Sequence, residues 1–179
     1  MKYFFYCLFF GVLLIQVSCN NKPQSNSSAT TSTKKQLDTA DTRLATDLSV
    51  FFNSQMQSAK LLEIKSTNKK VIDLARQNEQ LYTQMSNRLN GLSDEYEISL
   101  PAKPSAIAEK NLVVLRVTKL GLLDHAYLLQ MLKDHNIMIR ETNVAKNIQC
   151  VPLKTFVLSN QAAIIKQAYA LSALKDETP

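Results

Sequence analysis

The sequence predicts an all-α, antiparallel four-helix bundle, and three observations predict it. Only 3 glycines and 5 prolines occur in 179 residues, too few turn formers for a many-stranded β fold. Apolar residues make up 45% of the chain, enough for the core of one domain with appendages. They also recur at spacings of three and four along four long blocks. Each block therefore has one oily side that only packing against the others can hide.

The N-terminal segment precedes the bundle and carries a different signal. Lys2 supplies a positive charge, and Tyr3 to Ile15 is an apolar run of 13 residues. That length suits the hydrophobic region of a signal peptide and falls short of the about 20 residues a membrane-spanning helix needs. Gln16-Val17-Ser18-Cys19 follows, and a small residue directly before a cysteine at that point resembles the bacterial lipobox. The resemblance implies cleavage after residue 18 and lipid attached to Cys19. Gln16 departs from the aliphatic residue usual at its position. An ordinary signal peptide and an uncleaved anchor are the alternatives. Several acyl chains would hold a domain stably at a membrane. The expected address is therefore the cell envelope, periplasmic or outer-membrane, with the membrane as partner through the N-terminal lipid. Residues 20–36 contain no large apolar side chain, so residues 19–40 are expected to be a lipidated cysteine and a disordered tether.

The first helix is expected from about Asp41, with Asp38, Thr39 and Asp41 as candidate N-caps. Leu44, Leu48, Phe51, Phe52, Met56 and Leu62 form its apolar side, and Ser66-Thr67-Asn68 breaks it. In the second helix Val71, Leu74, Ala75, Asn78, Leu81, Tyr82, Met85 and Leu89 make one stripe, which Gly91 is expected to close as a C′ residue. A loop with Leu100-Pro101 and Lys103-Pro104 leads to Ser105, a cap for a helix over Ala106 to about Thr118. Val113-Val114-Leu115 leaves a strand open there. Gly121 suggests a split or a close packing point in this third block, before a long helix from about Leu122 to Asn143. Pro152 suits the first turn of the last helix, expected to about Leu174. Phe156, Asn160, Ala163, Ile164, Gln167 and Leu171 share its inward side. The bundle domain is thus read as 41–174, with 175–179 as a tail.

The formal net charge is +6, and removing residues 1–18 takes away only Lys2, so +6 becomes +5. A soluble surface with surplus lysine explains that excess, and affinity for anionic lipids or glycans is the alternative. Of the 3 cysteines, Cys7 lies in the signal segment and Cys19 is the lipid site. Cys150 is left without an intramolecular partner. There is no Gly-rich phosphate loop, no Gly-x-Ser-x-Gly elbow, no CxxC and no His-Glu-x-x-His. Basic residues are scattered without aromatic interleaving, which argues against nucleic-acid binding.

Both histidines fall in one helix, each after an aspartate: Asp124-His125 and Asp134-His135. Asp124, Tyr127, Met131 and Asp134 sit at offsets 0, 3, 7 and 10 on one face, with His135 flanking it. Facing carboxylates and an imidazole could hold a divalent metal in a bundle, but one helix alone does not supply enough ligands. Hydrogen-bonded structural roles are the plainer reading.

The block from Leu120 to His135 resembles the bacterial ferritin-like domain-of-unknown-function family 4142. Asp124, Tyr127, Met131, Asp134 and His135 match its Phe-Asp-x-x-Tyr and Met-x-x-Asp-His segments, with Leu123 replacing Phe. The run Asn68–Ala75 and Leu100-Pro101 match further segments, and the likeness spans about residues 48–172. It implies a ferritin-like bundle of envelope lipoproteins. The departures bear on chemistry. Leu81-Tyr82 stands where the family has Asp-His, Gln167 stands where it has a histidine, and Gln55 or Gln57 falls near its first-helix Glu. Amides and a phenol bind transition metals poorly, while Tyr82 and Gln167 can hydrogen-bond Asp134 or His135. The expectation is a non-enzymatic binding or structural module with no cofactor and an unknown protein or glycan partner. Tyr82, Asp124, Tyr127, Asp134, His135 and Gln167 are its candidate polar core cluster. The alternative is a ferritin-like metal or redox protein using Asp124, Asp134 and His135.

Overall fold

The computed structural model describes residues 36–178; the expected signal segment, Cys19 and most of the expected tether lie outside them. Five α-helices occur among the described residues, with no strand: α1 (Thr39–Lys65), α2 (Lys69–Tyr96), α3 (Ala106–Val117), α4 (Leu120–Thr142) and α5 (Val151–Glu177). A 3₁₀ segment, Asn143–Asn147, links α4 to α5. None of the described helices is long and apolar enough to cross a membrane.

The main packing partners are α1 with α2 and α4 with α5, and the two hairpins join through α1 on α4 and α2 on α5. Direction follows from which residues share a core. Leu44 to Phe52 of α1 pack in one apolar cluster with Tyr82 to Leu89, Met138 and Leu153 to Ile164. Ala59 and Leu62 pack in a second with Val71 to Ala75, Leu123 to Met131 and Leu171. So α1 and α5 run from the first cluster to the second, and α2 and α4 run back. Each of these four packed pairs is antiparallel. Since α2 and α4 point the same way, the chain needs a crossover, which residues 97–105 and α3 provide, as in bundles with one long connection.

Local chemistry sets the ends. Asp38 caps α1 by accepting from the Asp41 amide at 2.7 Å, Asn68 caps α2 through the Lys70 amide, and Ser105 caps α3 through the Ala108 amide. The start of α5 has no side-chain cap of its own. The buried Asp41 carboxylate supplies it, accepting from the amides of Gln149 (3.1 Å) and Cys150 (2.7 Å). A helix N-terminus, with its unpaired N–H groups and positive dipole end, favours such an anion. Ser49 and Asn53 both donate to the Pro101 carbonyl at 2.9 Å and pin the crossover loop to α1.

Several boundaries differ from expectation. Gly91 does not end α2; the helix continues to Tyr96, and Glu97 takes the left-handed conformation at φ 53°. A mid-helix glycine costs only about 1 kcal/mol, and burial of Ser93 and Tyr96 beyond it outweighs that. The third block is split at Thr118-Lys119, just ahead of Gly121, and a side chain at Gly121 would meet open space. The close-packing role is therefore absent. Residues Thr39 and Ala40 belong to α1 and not to a tether, and α5 runs through most of the expected tail. Thr178 is held there by the His125 Nδ1, which donates to its carbonyl at 3.0 Å.

Candidate functional site

Each of the four long helices must cross from one apolar cluster to the other, and at the crossing each carries a buried polar residue. These are Gln55 in α1, Asn78 in α2, His135 in α4 and Gln167 in α5. Polar groups in a packed interior are costly unless bonded, so their partners decide what the layer is.

His135 is fully partnered. Its Nδ1 lies 2.7 Å from the Met131 carbonyl, which can only accept, so Nδ1 carries the proton. Nε2 then holds the lone pair, and the Tyr82 hydroxyl donates to it at 2.6 Å. The Phe51 ring meets both rings edge-on at centroid distances of 5.3 Å. Burial pushes the His135 pKa down to about 4, against the Met131 carbonyl, which favours the protonated ring. Burial and the neighbouring Tyr127 push the Tyr82 phenol well above its ordinary value. The Tyr127 phenol is pushed up to about 12, chiefly by burial, while its hydrogen bond with Asn78 acts the other way. Asn78 Nδ2 donates to the Tyr127 oxygen at 3.4 Å. This is a layer of neutral groups at neutral pH.

Not every atom in it is bonded. Both amide atoms of Gln55, the Asn78 Oδ1 and the Gln167 Nε2 are buried without a hydrogen-bond partner. Tyr82 and His135 are the members of the sequence-derived cluster that the fold brings into direct contact. Tyr127 bonds Asn78 instead. Asp124 is half-buried, with Oδ1 unbonded, and Asp134 is also half-buried, accepting from Gln130 Nε2 at 2.8 Å. His135, placed beside the face by the offsets, sits at its centre, and the two aspartates lie at its margins.

These donors do not fit a divalent metal. Among the described residues no three His, Cys, Asp or Glu side chains come together to hold one. The His135 lone pair is occupied by a phenol proton, and the rest of the layer is amide and phenol, which offer no anionic ligand. Among the described residues Asp124, Asp134 and His135 are not gathered into one cluster.

Asp134 instead opens a second site. It lines a cleft of about 300 Å³ between α1, α3 and α4, with Asp47 and Glu141 as further carboxylates and Val50, Phe51, Ile137 and Met138 as apolar floor. Ile107 and Asn111 of α3 form its far wall. Burial raises the Asp134 pKa, while the Gln130 hydrogen bond and the Lys133 charge pull it down. Phe51 is the partition, touching His135 inside and the cleft outside. The adjacent pair Asp134-His135 thus faces two environments. Periodicity along α4 marks the pair, but nothing in it points to Asp47, which α1 contributes, or to the α3 wall.

No curated protein matches the chain. The crystal structure of a DUF305 fragment from Deinococcus radiodurans is similar, with a TM-score of 0.67 over 79% of this chain and 99% of that one, at 10% identity. At that identity the likeness speaks to the helical fold alone. The family described as Domain of unknown function (DUF4142) matches residues 26–174. That span takes in the whole bundle from α1 to most of α5, together with the Asp124–His135 block, and the chain belongs to the DUF4142 family.

Proposed function

We propose that this chain is an exported, lipid-anchored binding module without catalytic activity, and that the Asp134 cleft is where it binds. One observation carries the reading: the Asp134-His135 pair is divided, its imidazole consumed inside the core and its carboxylate left at a solvent-reaching cleft. General base or ligand chemistry needs a free lone pair, and the Tyr82 proton takes the one His135 has. The cleft combines three carboxylates with an apolar floor. It suits a ligand with an apolar body and a positively charged end, whose methylenes cover Phe51 and Met138 while its cation meets Asp134 and Glu141.

Thermal unfolding with 1,6-diaminohexane or 1,6-hexanediol tests the cleft. The diamine should raise the melting temperature and the diol should not, and Asp134→Asn with Glu141→Gln should abolish the rise. Equal responses to the two compounds would remove charge recognition. The anchor is supported by the apolar run Tyr3–Ile15 and by Ser18-Cys19. Cys19→Ala should move the protein from the membrane fraction to the soluble one, and an unchanged distribution refutes the anchor.

A further inference from the structure

α3 is apolar on two sides. Leu112 and Leu115 are buried inward. Val113, Val114 and Val117 form a second stripe, joined at its edge by Ile107, which also walls the cleft, and each of the four is between 53% and 77% exposed. Leu120 and Leu122, at the start of α4, are 63% and 61% exposed. Six large apolar side chains on one short helix and the turn after it exceed the scattered exposure of an ordinary surface. Among the described residues no neighbouring element covers the second stripe, since α3 packs against α1 and α4 with its other side.

The charge around this stripe selects what covers it. Residues 103–122 hold four basic side chains, Lys103, Lys110, Arg116 and Lys119, against one acidic one, Glu109. All five are exposed. Lys110 lies within the stripe itself, between Ile107 and Val114. The carboxylates of Asp47, Asp134 and Glu141 belong to the cleft on the inner border of α3. An exposed apolar stripe with basic side chains around it is the pattern of a helix lying in a membrane interface, its apolar side chains among the acyl chains and its cations at anionic headgroups. Two copies meeting through this face would oppose their own basic residues.

We infer that α3 and the first turn of α4 dock the domain sideways on an anionic lipid bilayer. This rests on the anchored reading, because a lipid on Cys19 keeps the bilayer within reach. Thr39 starts α1 and lies 20 residues after Cys19, a separation of at most about 72 Å when fully extended. α1 is only about 40 Å long, so its flank, along which α3 lies, can meet the surface that holds the lipid.

The chain contains no tryptophan, so Val114→Trp gives a single reporter on the stripe. Leu158→Trp gives a control at an exposed position of α5, which packs chiefly on α4 and α2. Each full-length lipidated chain is reconstituted into vesicles of phosphatidylcholine alone, or with one third phosphatidylglycerol, containing brominated lipid. Flotation is read alongside fluorescence. Docking predicts at least twofold stronger quenching at position 114 than at 158 on the anionic vesicles. Lys110→Glu with Arg116→Glu, or 0.5 M salt, should reduce that difference. Chains that float while position 114 is quenched no more than 158 overturn docking and leave the anchor standing. Chains that float with neither vesicle overturn the anchor, and docking falls with it. Shielding of position 114 without lipid, together with a doubled mass, assigns the face to a second copy and overturns the bilayer.

Discussion

The two apolar clusters of this bundle are built from different material. One is aromatic: Phe51, Phe52, Tyr82 and Phe156 pack with ring centroids 5.3 to 6.3 Å apart. The other is mostly aliphatic, with Val71, Leu74, Leu123, Leu128, Met131 and Leu171 around a single phenol, Tyr127. The polar layer lies between them and is bonded on both sides: Tyr82 reaches His135 under Phe51 on the aromatic side at 2.6 Å, and Asn78 reaches Tyr127 on the other at a longer 3.4 Å. Specificity resides on the aromatic side. Aliphatic side chains fill volume and tolerate rearrangement, whereas rings with preferred contact geometry and a hydrogen bond between them fix one arrangement.

Phe52 is fully buried and stacks on Tyr82, and Phe52→Ala should cost about 4 kcal/mol. Leu128→Ala in the other cluster should cost about 3 kcal/mol. Urea unfolding measures both, and equal costs would erase the distinction between the ends.

Acid should weaken the aromatic side first. His135 titrates near 4 in the folded chain and near 6.5 unfolded, so between those values the unfolded chain binds the extra proton. Stability is full above pH 6.5 and falls as pH drops towards 4, by up to about 3 kcal/mol. Asp134, its pKa raised by burial, works in the opposite sense and gains stability on protonation. His135→Gln should flatten the His135 part of the profile, and an unchanged profile in that variant would show that another group carries it.

Tyr82→Phe keeps the ring and leaves the His135 Nε2 without its donor. An expected loss of about 2 kcal/mol follows from the buried acceptor left unpaired. A loss below about 0.5 kcal/mol would mean the hydroxyl is not bonded in solution. Gln55→Met reads the layer from its unbonded side. It exchanges an amide with two unpartnered atoms for a thioether of similar length, and should be neutral or stabilising by about 1 kcal/mol. Clear destabilisation by this change would place a hydrogen-bond partner on Gln55.

Much of the architecture is written locally. The apolar spacing of Val71 to Leu89, the break at Ser66-Thr67-Asn68, the caps Asp38 and Ser105 and the proline at the start of α5 all act within a turn or two of the chain. Helix periodicity and capping are interactions between near neighbours, so an α-helical bundle and most of its boundaries can be read from order alone. Tertiary packing decided the rest. It carried α2 past Gly91, turned Asp41 from a possible cap of its own helix into the cap of α5, and set Tyr82 against His135 across 53 positions. It also put Asp134, Asp47 and Glu141 around one cleft. Those outcomes depend on how far each helix slides and rotates against its partners. That is settled by the summed fit of side chains from separate segments, which no single stretch of sequence contains.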